Sequence, residues 1–81
     1  MRLLLVDDES RLTAALRKGL TADGFVVDVA SDGVEGLELA GREAYDAVVL
    51  DVMLPGLSGY EVVRRLRAAG SWVPVIMLSA K

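Results

Sequence analysis

The sequence predicts an α/β domain built as a doubly wound parallel sheet, and three observations predict it. Short runs rich in β-branched residues alternate with longer segments whose apolar residues recur every three or four positions, the pattern of βα units. The first run, "RLLLV" (2–6), shows no polar alternation, as expected of a strand covered on both faces. Turn and cap residues punctuate the boundaries, as in "ADG" (22–24), "SDG" (31–33) and the Pro55–Gly56 pair.

Taken in order, "RLLLV" is the first strand, and Asp7, Asp8 and Ser10 are candidate caps for the helix behind it. In that helix Leu12, Ala15, Leu16 and Leu20 share the face expected to turn inward, and Gly24 is the expected stop. "FVVDVA" (25–30) is the second strand. "SDG" opens a second helix with Val34, Leu37 and Ala40 inward and Glu35, Glu38 and Glu43 outward. "YDAVVL" (45–50) is the third strand. The proline-glycine turn leads to "GYEVVRRLRAAG" (59–70), where Val62, Val63 and Leu66 form a narrow stripe. Arg64, Arg65 and Arg67 beside it read as a solvated face, and Trp72 reads as packing. "VPVIMLSA" (73–80) is the fourth strand.

Composition restricts the chemistry. The 81 residues are 53% hydrophobic and 26% charged, which describes one compact domain and neither a disordered nor a fibrous chain. With a net charge of −3 and nine scattered Lys and Arg residues, no basic stripe is offered to phosphates, so direct nucleic-acid binding is not expected. Cysteine and histidine are both absent, which removes disulfides, thiolate metal sites and imidazole bases. Carboxylates must carry the chemistry. No apolar stretch approaches the roughly 20 residues needed to cross a bilayer, and "MRLLLVDDES" turns acidic too early for a signal peptide. A cytoplasmic protein is expected.

In an open parallel sheet, ligands sit beyond the carboxyl ends of the strands where strand order reverses. If the first and third strands are neighbours, as in the order 2-1-3-4, Asp7, Asp8 and Asp51 converge at one edge of the sheet. Three carboxylates that close repel, and the arrangement persists if a proton is taken up or a cation is bound. Oxygen ligands without nitrogen or sulfur point to Mg²⁺, which accepts a few carboxylates together with waters and phosphate oxygens. Each residue also has a local alternative: Asp7 and Asp8 suit helix capping, Asp51 suits a turn, and Ser79 suits a bond to nearby backbone.

The acidic pair in "LLVDDES", the block "VVLDVMLPGLSG" with Pro55 and Gly59 at their spacings after Asp51, and "VIMLSA" together resemble the receiver domain of bacterial two-component response regulators. The resemblance covers essentially the whole chain and implies a flavodoxin-like fold. It implies that Asp51 accepts a phosphoryl group from a partner histidine kinase. Asp8 would then ligate Mg²⁺ directly, Asp7 through a water, and Asp51 and the backbone carbonyl of Met53 would complete the ligands. It further implies that the Ser79 hydroxyl is a switch, that the amides of Val52, Met53 and Ala80 cradle the phosphoryl oxygens, and that the protein assists its own phosphorylation without being an enzyme.

Against that family, the chain is expected to be an incomplete receiver domain over 1–81, lacking a fourth helix, fifth strand and fifth helix. The family's lysine lies on that fifth strand, and Lys81 is not its counterpart. The longer version is expected to drive a DNA-binding output domain, and the 81-residue chain to self-associate through its fourth strand. The alternative is a receiver-like interaction module that is not phosphorylated. A dehalogenase-type phosphatase would carry a second Asp two residues after the nucleophile, where Met53 stands, and "SDGVEG" (31–36) is no phosphate loop.

Overall fold

Residues 1–78 are described by a computed structural model. The element order is β1 (Arg2–Val6), α1 (Ser10–Ala22), β2 (Val26–Ala30), α2 (Gly33–Arg42), β3 (Ala47–Asp51), α3 (Gly59–Ala68) and β4 (Val75–Leu78). All pairings are parallel and the sheet order is β2-β1-β3-β4, as expected from the sequence. β4 begins two residues later than the apolar run 73–80: Pro74 lacks a ladder donor, and its carbonyl accepts from Val48 N at 2.9 Å before regular pairing begins.

With right-handed crossovers, this order puts α1 on one sheet face and α2 and α3 on the other. The core fills the second face, where Leu4 and Val6 of β1, Val48 and Leu50 of β3, Ala40 of α2, and Val62 and Leu66 of α3 pack together. On the α1 face the pairings Leu5–Val29, Leu5–Val49 and Val49–Ile76 lay out one row of side chains across the sheet. Exposure rises along that row, from buried Leu5 to half-buried Val49 to Ile76 at 55%.

That gradient corrects the reading of α1. Leu12 and Leu16 are each 38% exposed, Leu20 is half-buried, and the buried residue of the helix is Thr13. Among the described residues α1 packs chiefly on β2 and has no second helix beside it, so a stripe three to four residues wide has nothing to close against on its outer side. Thr13 tolerates burial because its hydroxyl donates to the Ser10 carbonyl at 3.1 Å. Val34 likewise is half exposed, and the inner face of α2 is made by Gly33, Gly36 and Ala40 with Leu37 and Leu39 beside them. Trp72 is not core packing: it is 77% exposed, and the Arg67 guanidinium lies 5.6 Å from its ring centroid. On β4, Val75 and Met77 lean on the core, while Ile76 and Leu78 are the exposed pair.

The opposite end of the sheet is locked by a polar network. Arg2 of β1 reaches Asp28 of β2 at 2.9 Å and Glu43 at 3.2 Å, and the Tyr45 hydroxyl donates to the same Asp28 oxygen at 2.7 Å. Tyr45 and Arg2 together hold the Asp28 carboxyl below the ordinary carboxylate range, while burial and the Asp28 contact push the Tyr45 hydroxyl up to about 12. The network thus joins β1, β2 and the connection between α2 and β3.

Candidate functional site

Parallel register alone brings two carboxylates together. Leu5 pairs with Val49 and Val6 with Leu50, so one step further Asp7 and Asp51 fall level on adjacent strands, about 4.8 Å apart in the pairing direction. Both follow Leu5 and Val49 by two residues, so both belong to the same sheet face, and Asp8 comes next in the β1–α1 connection. One carboxylate oxygen from each of Asp7, Asp8 and Asp51 lies within 4.8 Å of the others, with Asp8 exposed and the other two half-buried.

Two of the three are oriented by the same local device. Asp7 Oδ1 accepts from the Glu9 amide at 2.9 Å, and Asp51 Oδ1 accepts from the Met53 amide at 3.2 Å. Each is the turn in which an aspartate bonds to the backbone two residues on. The local alternative is therefore present at Asp7 and Asp51 as a turn, and neither residue is the N-cap of a helix. The N-cap of α1 is Glu9, whose side chain makes no capping bond, and that of α3 is Ser58, which accepts from the Glu61 amide at 3.2 Å. A turn bond engages one carboxylate oxygen from one side, so it leaves capacity for a cation. None of the ion pairs among the described residues involves the three aspartates, so their mutual repulsion is unrelieved by a basic side chain there.

The chain leaves β3 through a short loop that forms the wall of the site. Asp8, Val52, Met53, Leu54, Pro55 and Ser58 line an open cleft of about 410 Å³. Val52 anchors the loop at its start, donating to the Leu78 carbonyl at 3.1 Å and accepting from the Gly59 amide at 2.8 Å. Gly59 is required at this point because a Cβ would collide with the Asp51 carbonyl oxygen; glycine lets α3 begin directly against the end of β3. Ser79, Ala80 and Lys81 lie outside the described residues. The site thus gathers Asp7, Asp8, Asp51, Val52 and Met53. Sequence reasoning overlooked the contact of Gly33 with this loop; the available signal was a glycine in the first turn of a helix, where its cost in propensity calls for a reason.

Residues 3–81 match the family profile of the response regulator receiver domain. The chain is 52% identical over 81 residues to the transcriptional activator protein IrlR of Burkholderia pseudomallei, covering all of this chain and 35% of that protein. It spans about a third of the length of the curated relatives it matches. The receiver domain of Francisella response regulator 1452 superposes with a TM-score of 0.93 at 34% identity, covering 98% of this chain and 65% of that one. The response regulator TrrA of Thermotoga maritima, solved in complex with Mg²⁺ and BeF, superposes with a TM-score of 0.89 at 36% identity, covering 99% of this chain and 70% of that one. With the parallel order β2-β1-β3-β4 and the family match over nearly its whole length, the chain belongs to the receiver domains of two-component response regulators.

Proposed function

We propose that Asp51 is the phosphoacceptor of this domain and that Asp7 and Asp8 hold Mg²⁺ beside it. The observation that carries the reading is the approach of the three carboxylates to within 4.8 Å at the carboxyl end of the sheet. A donor set made only of carboxylate oxygens suits a small hard cation, and the Met53 carbonyl is the natural addition from the cleft wall. The Mg²⁺ in the TrrA complex supports the same choice here. When bound, Mg²⁺ would supply neutralisation of the charge on the group in transfer.

The chain's own residues do the rest. A carboxylate oxygen of Asp51 attacks the phosphorus of a kinase phosphohistidine; the O–P bond forms as the P–N bond breaks, and the imidazole leaves with a proton. The Met53 amide fixes the orientation of the attacking carboxylate. Of the amides expected to receive the transferred oxygens, that of Met53 stands beside Asp51, whereas that of Val52 is already held by the Leu78 carbonyl; Ala80 and Ser79, the expected further donor and switch hydroxyl, lie outside the described residues. Water later attacks the aspartyl phosphate, releasing inorganic phosphate and restoring Asp51. The chain is a phosphoacceptor rather than an enzyme acting on a separate substrate. We read the receiver as controlling a DNA-binding output in the cytoplasm, as a domain of a transcriptional regulator like those it resembles. No helix among the described residues is long and apolar enough to cross a membrane.

Incubation with a small phosphoramidate donor and Mg²⁺, followed by mass spectrometry, tests the assignment. A phosphoryl adduct on Asp51 that disappears in Asp51→Asn is the expected result; an adduct on Ser79, or one that persists in Asp51→Asn, overturns it. A second reading, association through β4 without phosphorylation, is favoured by one observation: Ile76 and Leu78 stand exposed on a strand at the sheet edge.

A further inference from the structure

The first turn of α2 and the loop that walls the site are joined by a contact that neither element needs for its own formation. Asp32 caps α2 by accepting from the Glu35 amide at 2.8 Å, and Glu35 reaches back to the Ser31 amide at 2.9 Å. This reciprocal capping fixes the helix start and satisfies two backbone donors. The Gly33 amide, one of the first-turn donors without a partner inside the helix, is aimed outward and donates to the Pro55 carbonyl at 3.0 Å. Pro55 lies in the cleft wall with Met53, and its carbonyl also accepts from Leu57 at 3.1 Å. The approach is so close that a Cβ at position 33 would collide with the Leu57 carbonyl oxygen and stand 2.8 Å from the Leu57 Cβ. One residue on, Val34 covers Gly56, whose φ of 81° gives the loop its bend.

We propose that Gly33 is a positioning residue of the metal and phosphoryl site: it clips the loop 52–58 at its middle, as the Gly59–Val52 bond clips it at its root, and so sets where Met53 stands relative to Asp51. The assignment rests on the metal-site reading above. Gly33 touches none of the three aspartates in this role; it acts through Pro55 and Leu57. An alanine there must displace backbone, because what a Cβ meets is a carbonyl group and not the end of a flexible side chain.

Gly36 provides the matched control. It is buried on the same helix, and a Cβ there would lie 2.8 Å from a Val6 methyl on the core side, away from the loop. Both alanine variants should lose stability. Titration of the 81-residue chain with Mg²⁺ alone, followed through the backbone amide shifts of Asp8, Val52 and Met53, separates the roles. Gly33→Ala should weaken Mg²⁺ binding about tenfold, the scale on which partners that orient metal ligands act, and Gly36→Ala should leave it unchanged. Should Gly33→Ala fail to fold, hydrogen exchange on the parent chain decides: by linkage, saturating Mg²⁺ must raise protection of the Gly33 amide relative to that of Gly36. Equal Mg²⁺ affinity in the folded Gly33→Ala variant, or no gain in Gly33 protection, overturns the positioning role while leaving the metal site standing. No Mg²⁺ response in the parent chain overturns the metal reading itself, and this assignment with it.

Discussion

Asp28 accepts from both a tyrosine hydroxyl and a guanidinium, and its ionisation is tied to folding through them. Its carboxyl sits below the ordinary range because of Tyr45 first and Arg2 second. The native state therefore binds a proton there less readily than the unfolded chain. The resulting stability is present above the unfolded carboxylate pKa of about 4 and is lost as pH falls through the lower folded value. Tyr45 works in the other direction. Its folded pKa is raised to about 12, so its contribution is intact below the unfolded value of about 10 and drains away as pH climbs from there toward the folded value. Tyr45→Phe should cost about 1 kcal/mol at neutral pH, the net worth of one such hydrogen bond. It should also flatten the stability profile on both limbs, as read by urea unfolding across pH. An unchanged alkaline limb would show that the hydroxyl is not engaged with Asp28.

Among the elements, β4 combines a free edge with an apolar outward face. Its partner on one side is β3, and among the described residues its other edge pairs with no strand. Ile76 on its exposed face continues the Leu5–Val49 row, and Leu78 stands level with Asp51. Edges of this kind pair with other chains unless a charge or a covering element prevents it. The 81-residue chain should therefore associate with itself as concentration rises, by light scattering, and Ile76→Lys should shift it toward monomer. A parent chain that stays monomeric over the whole series would remove β4 pairing as a reading of this surface. The exposed arginines of α3 behave as the solvated face expected of them: Arg64 and Arg65 pair with Glu61 one turn back, which draws that carboxyl down to about 2 without making a site.

For the molecule as a whole, a cluster of three carboxylates opposes folding, and a cation bound at the proposed site would relieve that repulsion in the folded state alone. Mg²⁺ at ten times its Kd should therefore add about 1.4 kcal/mol, which for a domain of this size is a rise in Tm of about 5–10 °C. Asp51→Asn removes one of the three charges. Without Mg²⁺ it should match or exceed the parent in stability by up to about 1 kcal/mol, the scale of one close pair of like charges in water. It should also lose most of the Mg²⁺ response. Thermal melts of both proteins with and without Mg²⁺ check this, and a parent Tm indifferent to Mg²⁺ would count against a clustered site.

The sequence by itself determined the alternation of strands and helices, the parallel sheet and the acidic trio, because these follow from local pattern. A buried strand, a cap and a turn each announce themselves within a few residues, and Asp7, Asp8 and Asp51 stand at strand ends that such patterns locate. What only the tertiary structure decided depends on which face meets which neighbour. The leucine stripe of α1 looks inward by periodicity, yet burial goes to Thr13, because a stripe is buried only as far as another element covers it. Trp72 reads as packing from its size, and lies outside with its ring beside the Arg67 guanidinium. The Arg2–Asp28–Tyr45 network and the Gly33–Pro55 clip join residues far apart in sequence. Their partners are chosen by strand register and helix placement, which no local pattern encodes.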